Sequence, residues 1–173
     1  MSGIISDNVG RATGLIKSAG GGGKIGQVLT VQNIDVESTT STSFATISDL
    51  SVSIQPVATS SKILILSSFT VGYESIQTLF RLYRDSTNIA LGTPSGNRLG
   101  ASFSFYDPGS GAYSAWTQHF TWLDSPSTTS SIAYTWQWKI DTGEQYLNRT
   151  DDNTDATFYI RTPSSVTVME VLA

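Results

Sequence analysis

The chain has 173 residues and contains no cysteine. A disulfide framework and thiol chemistry are therefore excluded. Charged residues are scarce as well, at 14% of the chain, and the net charge at pH 7 is −4. Binding to DNA or RNA relies on a basic surface that displaces counterions, so this composition disfavours a nucleic-acid partner.

Long apolar runs are also missing from the sequence. No segment approaches the ~18 consecutive apolar residues of a transmembrane helix. At the N-terminus, Ile4 and Ile5 are followed at once by polar residues, whereas a secretory signal has an unbroken apolar core. We therefore expect a soluble chain with no membrane partner, which retains its leader.

The first 26 residues differ from the rest because they are rich in Gly and Ser. Residues 4–19 fit a marginal helix that is weakened by Gly10 and Gly14, and residues 20–23 form a four-glycine hinge. We predict an extended or partly helical N-terminal arm over residues 1–26, which becomes ordered where it docks. A β-domain is predicted over residues 27–173.

From about Gln27 the hydrophobicity repeats every two residues, which is typical of half-buried strands. The clearest case is "SIAYTWQWKI", and "YSAWTQHFTWL", "ASFSFY" and "TLFRLYRD" follow the same pattern. Turn sequences such as "GTPSGN" and "DPGSG" separate these segments. About nine to eleven strands with no convincing helix after residue 26 predict an all-β fold, an antiparallel β-sandwich of the jelly-roll type.

The segment "KILILSSFTV" departs from simple alternation because apolar residues occupy both of its faces. A strand that is apolar on both faces is covered on both faces. It is either a central strand between two layers or a strand with one face against another subunit. The residues that we predict as a possible subunit interface are Ile63, Leu64, Ile65 and Leu66.

Motifs for catalysis are weak. "GGGKIG" has the glycine spacing of a dinucleotide site but lacks the strand before it and the helix after it. His119 is the only histidine, and no nucleophile motif accompanies it. The carboxylates are scattered mostly over turns, so no pair of them suggests a glycosidase. We expect no catalytic residue, no cofactor and no enzymatic activity.

The acidic turn "DDNTD", at Asp151–Asp155, is the best candidate for a metal site, because calcium prefers oxygen ligands. It lacks the register of an EF-hand, so we predict an acidic hairpin tip and no metal site. The adjacent "NRT" at Asn148 fits a glycosylation sequon. Most Trp and Tyr side chains are expected in the core, whereas Tyr106 and Tyr113 are expected to be exposed.

Three stretches resemble a group of short virion proteins of tailed phages that infect cyanobacteria and other aquatic bacteria, usually labelled tail-fibre or structural proteins. They are "MSGIISDNVGRATGLIK", "SSKILIL" and "YLNRTDDNTDATFYIRTPSSVTVMEVL". The resemblance implies a virion component with a homotrimeric jelly roll similar to complement C1q or tumour necrosis factor heads. It places the virion anchor at Ile4, Ile5, Val9, Leu15 and Ile16, and it implies no catalytic residue.

The leading hypothesis is a non-enzymatic phage structural protein located in the virion, whose partners are its own copies and a capsid or tail-adaptor protein. Two placements remain open. One is a capsid decoration, or cement, protein. The other is a short tail fibre whose loops Gly92–Arg98 and Asp107–Tyr113 contact a host surface glycan or protein. A polysaccharide depolymerase and a secreted lectin-like or cytokine-like module are the less favoured alternatives.

Overall fold

A computed structural model of the chain describes residues 24–72, 77–106, 111 and 113–172. The predicted anchor residues and the hinge at residues 20–23 lie outside the described residues, as does most of the loop over residues 107–112. The described residues form eleven strands: β1 (Lys24–Asn33), β2 (Glu37–Thr39), β3 (Ala45–Ile54), β4 (Lys62–Gly72), β5 (Thr78–Arg84), β6 (Thr87–Ile89), β7 (Phe103–Phe105), β8 (Ala115–Asp124), β9 (Ile132–Ile140), β10 (Gln145–Leu147) and β11 (Ser164–Leu172).

The strands form two antiparallel sheets. In sheet A, β4 lies between β8 on one side and β11 on the other, and β1 pairs with the far side of β11. The short β10 joins the end of β4 and pairs with β2. In sheet B the order is β3-β9-β5, with β6 and β7 both on the free side of β5. Within the described ranges the chain forms no helix, and hence none long and apolar enough to cross a membrane.

The path of the chain between the sheets is that of a jelly roll. The eight main strands in chain order, β1, β3, β4, β5, β7, β8, β9 and β11, lie in sheets A, B, A, B, B, A, B and A. Their spatial orders are β1-β11-β4-β8 and β3-β9-β5-β7, the arrangement produced by two Greek keys. The predicted all-β jelly-roll sandwich is confirmed.

Alternate residues of each strand point to opposite faces of its sheet, and this alternation determines which side chains fill the space between the two sheets. On β9 the inward side chains are at most 5% exposed, and the side chains between them are half-buried. The aromatic pattern in the sequence therefore predicted this face correctly. Phe69, Phe80, Phe103 and Trp136 form the centre of the core, with ring centroids as close as 4.3 Å for Phe80 and Phe103. The inward residues of β9 are Ile132, Tyr134, Trp136, Trp138 and Ile140.

The end of β8 is fastened to sheet B by a buried polar network. Tyr134 donates its hydroxyl to Asp124 at 2.7 Å, and Arg84 Nη1 forms an ion pair with the same carboxylate at 2.9 Å. Burial, together with this hydrogen bond to a carboxylate, raises the pKa of Tyr134, so the phenol stays a donor. The network fixes Asp124, the last residue of β8, against β5 and β9.

Two of the four tryptophans lie outside the core. Trp136 and Trp138 are buried, whereas Trp116 and Trp122 of β8 are 50% and 40% exposed. They share a strand face with Phe120, which packs against Trp136 at 5.3 Å. Since β8 is the outermost strand on its side of sheet A, only the middle of that face is covered by the core.

Candidate assembly face

The predicted subunit-interface residues on β4 separate onto two faces of sheet A. Ile63 and Ile65 point into the core and are fully buried. Leu64 and Leu66 point away from the core and are half-buried. The side chains that β4 offers to another subunit are therefore Leu64 and Leu66.

Leu64 is part of a line of apolar side chains that crosses the outer face of sheet A. Val28 of β1 is the register partner of Met169 of β11, and Met169 is the partner of Leu64. On the other side of β4, Leu64 pairs with Leu123 of β8. Val28 is 51% exposed and Leu123 is 47% exposed. We call these four residues, Val28, Met169, Leu64 and Leu123, the apolar row.

The apolar row is extended at the β1 end of the sheet. Ile25 pairs with Val171, and a β-bulge between Ile25 and Val28 lets both side chains face outward although they are three residues apart. Leu66 adds a further apolar side chain on the next line of the sheet. We call the apolar row together with Ile25, Val171 and Leu66 the apolar face.

The other end of the same outer surface is polar. Beyond Leu66, the outward positions of β4 and β8 pair Ser68 with His119 and Thr70 with Thr117. His119 is exposed there, as a surface residue of its strand. The apolar side chains are thus gathered at the end of the sheet where β1 begins at Lys24.

The apolar face is small beside a complete subunit interface. A strand spacing of about 4.8 Å and a spacing of about 7 Å between outward side chains give about 34 Å² per side chain, or on the order of 240 Å² for all seven. Apolar patches of a few hundred Å² are the largest that a monomer usually exposes, and they often mark a binding site. The four side chains of the apolar row are direct register neighbours, so the row is continuous across four strands, which suits contact with protein rather than with a small molecule. Around it, Val171 also pairs with Lys62, and Leu66 lies between Thr167 and Thr121.

A buried carboxylate supports the β1 side of this face. Glu170 of β11 is fully buried and accepts hydrogen bonds from Gln27 Nε2 at 2.8 Å and from the backbone N–H of Val57 at 2.7 Å. Burial alone would raise the pKa of Glu170, but these hydrogen bonds outweigh it and hold the pKa below its ordinary value. A Cβ at Gly26 would lie 3.2 Å from this carboxylate, so the last glycine of "GGGKIG" is a packing residue here.

The asparagine of the glycosylation sequon, Asn148, is a buried residue that holds parts of the fold together. Asn148 is fully buried, with a φ of 65°. Its side-chain amide donates to the carbonyls of Asn33 and Asp35, and its Oδ1 accepts from Ser164 at 2.6 Å. In the folded domain this side chain joins the end of β1 to the start of β11 and is closed to modification.

In the acidic turn at Asp151–Asp155, hydrogen bonds within the turn occupy the carboxylate of Asp152. Asp152 accepts hydrogen bonds from the hydroxyl and the backbone N–H of Thr154, which together lower the pKa of Asp152. Among the described residues, no group of three or more His, Asp or Glu side chains is arranged to hold a metal ion.

The loop Gly92–Arg98 is held in a defined shape. Ser95 and Arg98 exchange backbone hydrogen bonds, and Arg81 Nε donates to the carbonyl of Gly100 at 2.9 Å. Arg98 borders a cavity of about 370 Å³ on the outer side of sheet B, together with Leu79, Asn97, Leu99 and Lys139. Of the second predicted loop, Tyr113 is described and is exposed, as is Tyr106 just before it, which confirms both expectations.

No protein-family model matches the chain, and no curated protein sequence is significantly similar to it. Solved structures of infectious bursal disease virus share part of the arrangement of strands. The structure of the Gt strain has 10% sequence identity and a TM-score of 0.44, covering 85% of this chain and 38% of that chain. A VP2 subviral particle has 11% identity and a TM-score of 0.43, covering 84% and 41%. The chain thus spans about two fifths of their length, and its role is argued from its own residues.

Proposed function

We propose that the chain is a non-enzymatic structural protein of a phage virion, in which a homotrimeric jelly roll sits on the particle surface and is fastened by its N-terminal arm. The observation that carries this proposal is the apolar face on sheet A. A continuous line of half-exposed Val, Met and Leu side chains across four strands is expected at a subunit contact. The resemblance to short virion proteins supports the location and the threefold state.

The size of the apolar face supports a role for the arm in the same assembly. A stable interface buries about 800 Å² on each partner, roughly three times the area of this face. The remaining area must come from further parts of the chain. Residues 1–23 join the domain at Lys24, beside Ile25 of the apolar face, so the predicted arm emerges where the proposed subunit contact lies.

Removal of residues 1–23 tests the role of the arm. Lys24 is the first residue of β1, so this deletion leaves every described strand intact. We expect the shortened chain to fold as a β-protein, as judged by circular dichroism, and to be missing from assembled particles. Incorporation at the normal copy number would show that the arm is not the anchor.

The two placements on the particle differ in copy number. A capsid decoration protein is present in many copies over the whole shell, whereas a short fibre is present in few copies at one vertex. Quantitative protein staining of purified particles distinguishes them.

Contact with a host receptor is the second candidate role, and the loop Gly92–Arg98, which hydrogen bonds hold in a defined shape, favours it. A loop that is already held in one shape loses little entropy on binding. The lining of the cavity beside it includes the cations Arg98 and Lys139, the carboxylate Asp141 and the apolar Leu99. If the loop binds a host glycan, Arg98→Ala should weaken adsorption of particles to cells without changing the copy number.

The proposal that the chain is not an enzyme has its own test. Incubation of the purified chain with host surface polysaccharide should release no reducing ends. Release of sugar fragments that is lost on substitution of a carboxylate would support the depolymerase alternative instead.

A further inference from the structure

The free edges of the two sheets are protected against pairing with other chains, with one exception. Natural proteins blunt such edges with short strands, bulges, lysine or proline. β2, β6 and β7 have three residues each, and β1 carries Lys24 and a bulge. β3 is interrupted by a register shift between Thr46 and Ser51.

β8 has none of these devices. Its ten residues pair with β4 in one unbroken register, from Asp124 opposite Ile63 to Ala115 opposite Gly72. No proline and no charged residue occurs between Ala115 and Leu123. In the part of the chain that the structure describes, no strand covers the other edge of β8. A long, regular, uncharged edge of this kind is a template for an added strand.

We propose that β8 pairs edge to edge, in antiparallel orientation, with β8 of a second copy about a two-fold axis at His119. The evidence for this occupant is the symmetry of the strand. The half-exposed Trp116 and Trp122 are each three residues from His119, so the pairing sets Trp116 opposite Trp122 of the second copy. Cross-strand aromatic pairs of this kind stabilise sheets.

The remaining pairs in this register are mixed. Thr117 lies opposite Thr121, the small Ala115 lies opposite the large Leu123, and Gln118 lies opposite Phe120. An axis moved by one residue to Phe120 sets Trp116 against Asp124 instead. An axis at Gln118 sets Trp116 against Phe120 but leaves Trp122 opposite Ser114, which lies outside the strand. Of these three axes, the one at His119 pairs the two tryptophans with each other.

This contact goes beyond the proposed trimer. A two-fold contact does not close a ring of three, so it joins copies that belong to different trimers. It uses the backbone edge of β8, whereas the proposed trimer contact uses the outer face of sheet A. The two contacts are therefore separable by substitution.

A cysteine scan tests the proposal, because the chain has no cysteine of its own. Directly opposed residues of an antiparallel pair have Cα atoms about 4.5–5.5 Å apart, within the range that a disulfide spans. On mild oxidation, His119→Cys should therefore give a disulfide-linked dimer of the full chain. Thr46→Cys, an exposed position on the outer face of sheet B, is the control and should stay monomeric on denaturing gels.

The result that overturns the proposal is a His119→Cys chain that cross-links no more than the control. A second variant serves as an independent check: Trp116→Lys combined with Trp122→Lys should lower the mass of the native assembly to that of the trimer, because lysine blocks edge pairing. Ile34→Lys, at an exposed position away from β8, should leave the mass unchanged. An unchanged mass for the tryptophan variant would also refute the edge contact, while leaving the proposed trimer intact.

Discussion

The two outer faces of the sandwich follow the same alternation, yet they present opposite surfaces. On sheet A the outward residues include the apolar row, which stays half-exposed. On sheet B the outward residues of β9 are Ala133, Thr135, Gln137 and Lys139. The aromatic side chain beside them, Phe44, is covered by Arg81 at 3.9 Å and also lies 5.9 Å from Lys139. The outer face of sheet B at β9 is therefore polar in the single chain and suited to water, whereas the outer face of sheet A is suited to a partner.

The strongest test of this comparison uses neighbours on β4 that point in opposite directions. Ile65→Ala removes a fully buried side chain and should lower the free energy of unfolding by about 2–5 kcal/mol. Leu64→Ala should cost about 1 kcal/mol in the separated chain, because that side chain is only half-buried. Urea unfolding at low protein concentration measures both. Equal losses would mean that Leu64 serves the fold of the single chain rather than assembly.

Charges placed on the apolar face should separate the subunits. Val28→Glu combined with Met169→Glu is expected to weaken self-association by about 30-fold or more, since buried apolar contacts at an interface contribute about 2 kcal/mol or more. Sedimentation over a range of concentrations measures this. The matched control on sheet B, Thr135→Glu with Gln137→Glu, should leave association unchanged. If both variants weakened self-association to a similar extent, the outer face of sheet A would not be a specific subunit contact.

A smaller effect is expected at the aromatic residue on sheet B. Phe44→Ala removes the stacking of Arg81 on its ring and should lower the free energy of unfolding by about 0.5–1 kcal/mol. Self-association should not change. A loss of assembly mass in this variant would show that sheet B also takes part in a subunit contact.

The smallest effect concerns the carboxylate beneath the apolar face. The pKa of Glu170 is lower in the folded than in the unfolded chain, so its contribution to stability is present above the unfolded pKa. That contribution is lost as the pH falls through the folded pKa. Between pH 6 and pH 3, the melting temperature of the natural chain should therefore fall further than that of Glu170→Gln. Parallel curves would exclude Glu170 as a source of acid sensitivity.

The fold was readable from the sequence because alternation is a local property. The inward face of β9 and the two-faced character of β4 follow from side-chain order alone, and so does the number of strands. The apolar row was not readable, because it depends on which strands become neighbours. Val28 and Met169 are 141 residues apart in the sequence (169 − 28), and only the topology places them side by side.

Sequence patterns gave the wrong burial for some side chains, because their burial depends on an edge position or on a polar network in the fold. Trp116 and Trp122 follow the core pattern, but the edge position of β8 leaves them half-exposed. Asn148 fits a surface motif, but its amide satisfies buried carbonyls at the end of β1. Glu170 is a charged residue that the fold buries, and its two partners, Gln27 beside the bulge of β1 and the backbone N–H of Val57, are both more than a hundred residues away in the sequence.

The mass of the full chain in dilute solution tests the central claim most directly, and light scattering coupled to chromatography measures it. A subunit whose apolar face is covered by its own copies should give a mass that is a multiple of three chains. That mass should fall to the two chains joined at β8 when Val28 and Met169 both become glutamate, and to one chain when Trp116 and Trp122 are also replaced by lysine. A natural chain that remains monomeric at micromolar concentration, with the apolar face open to water, would contradict the account.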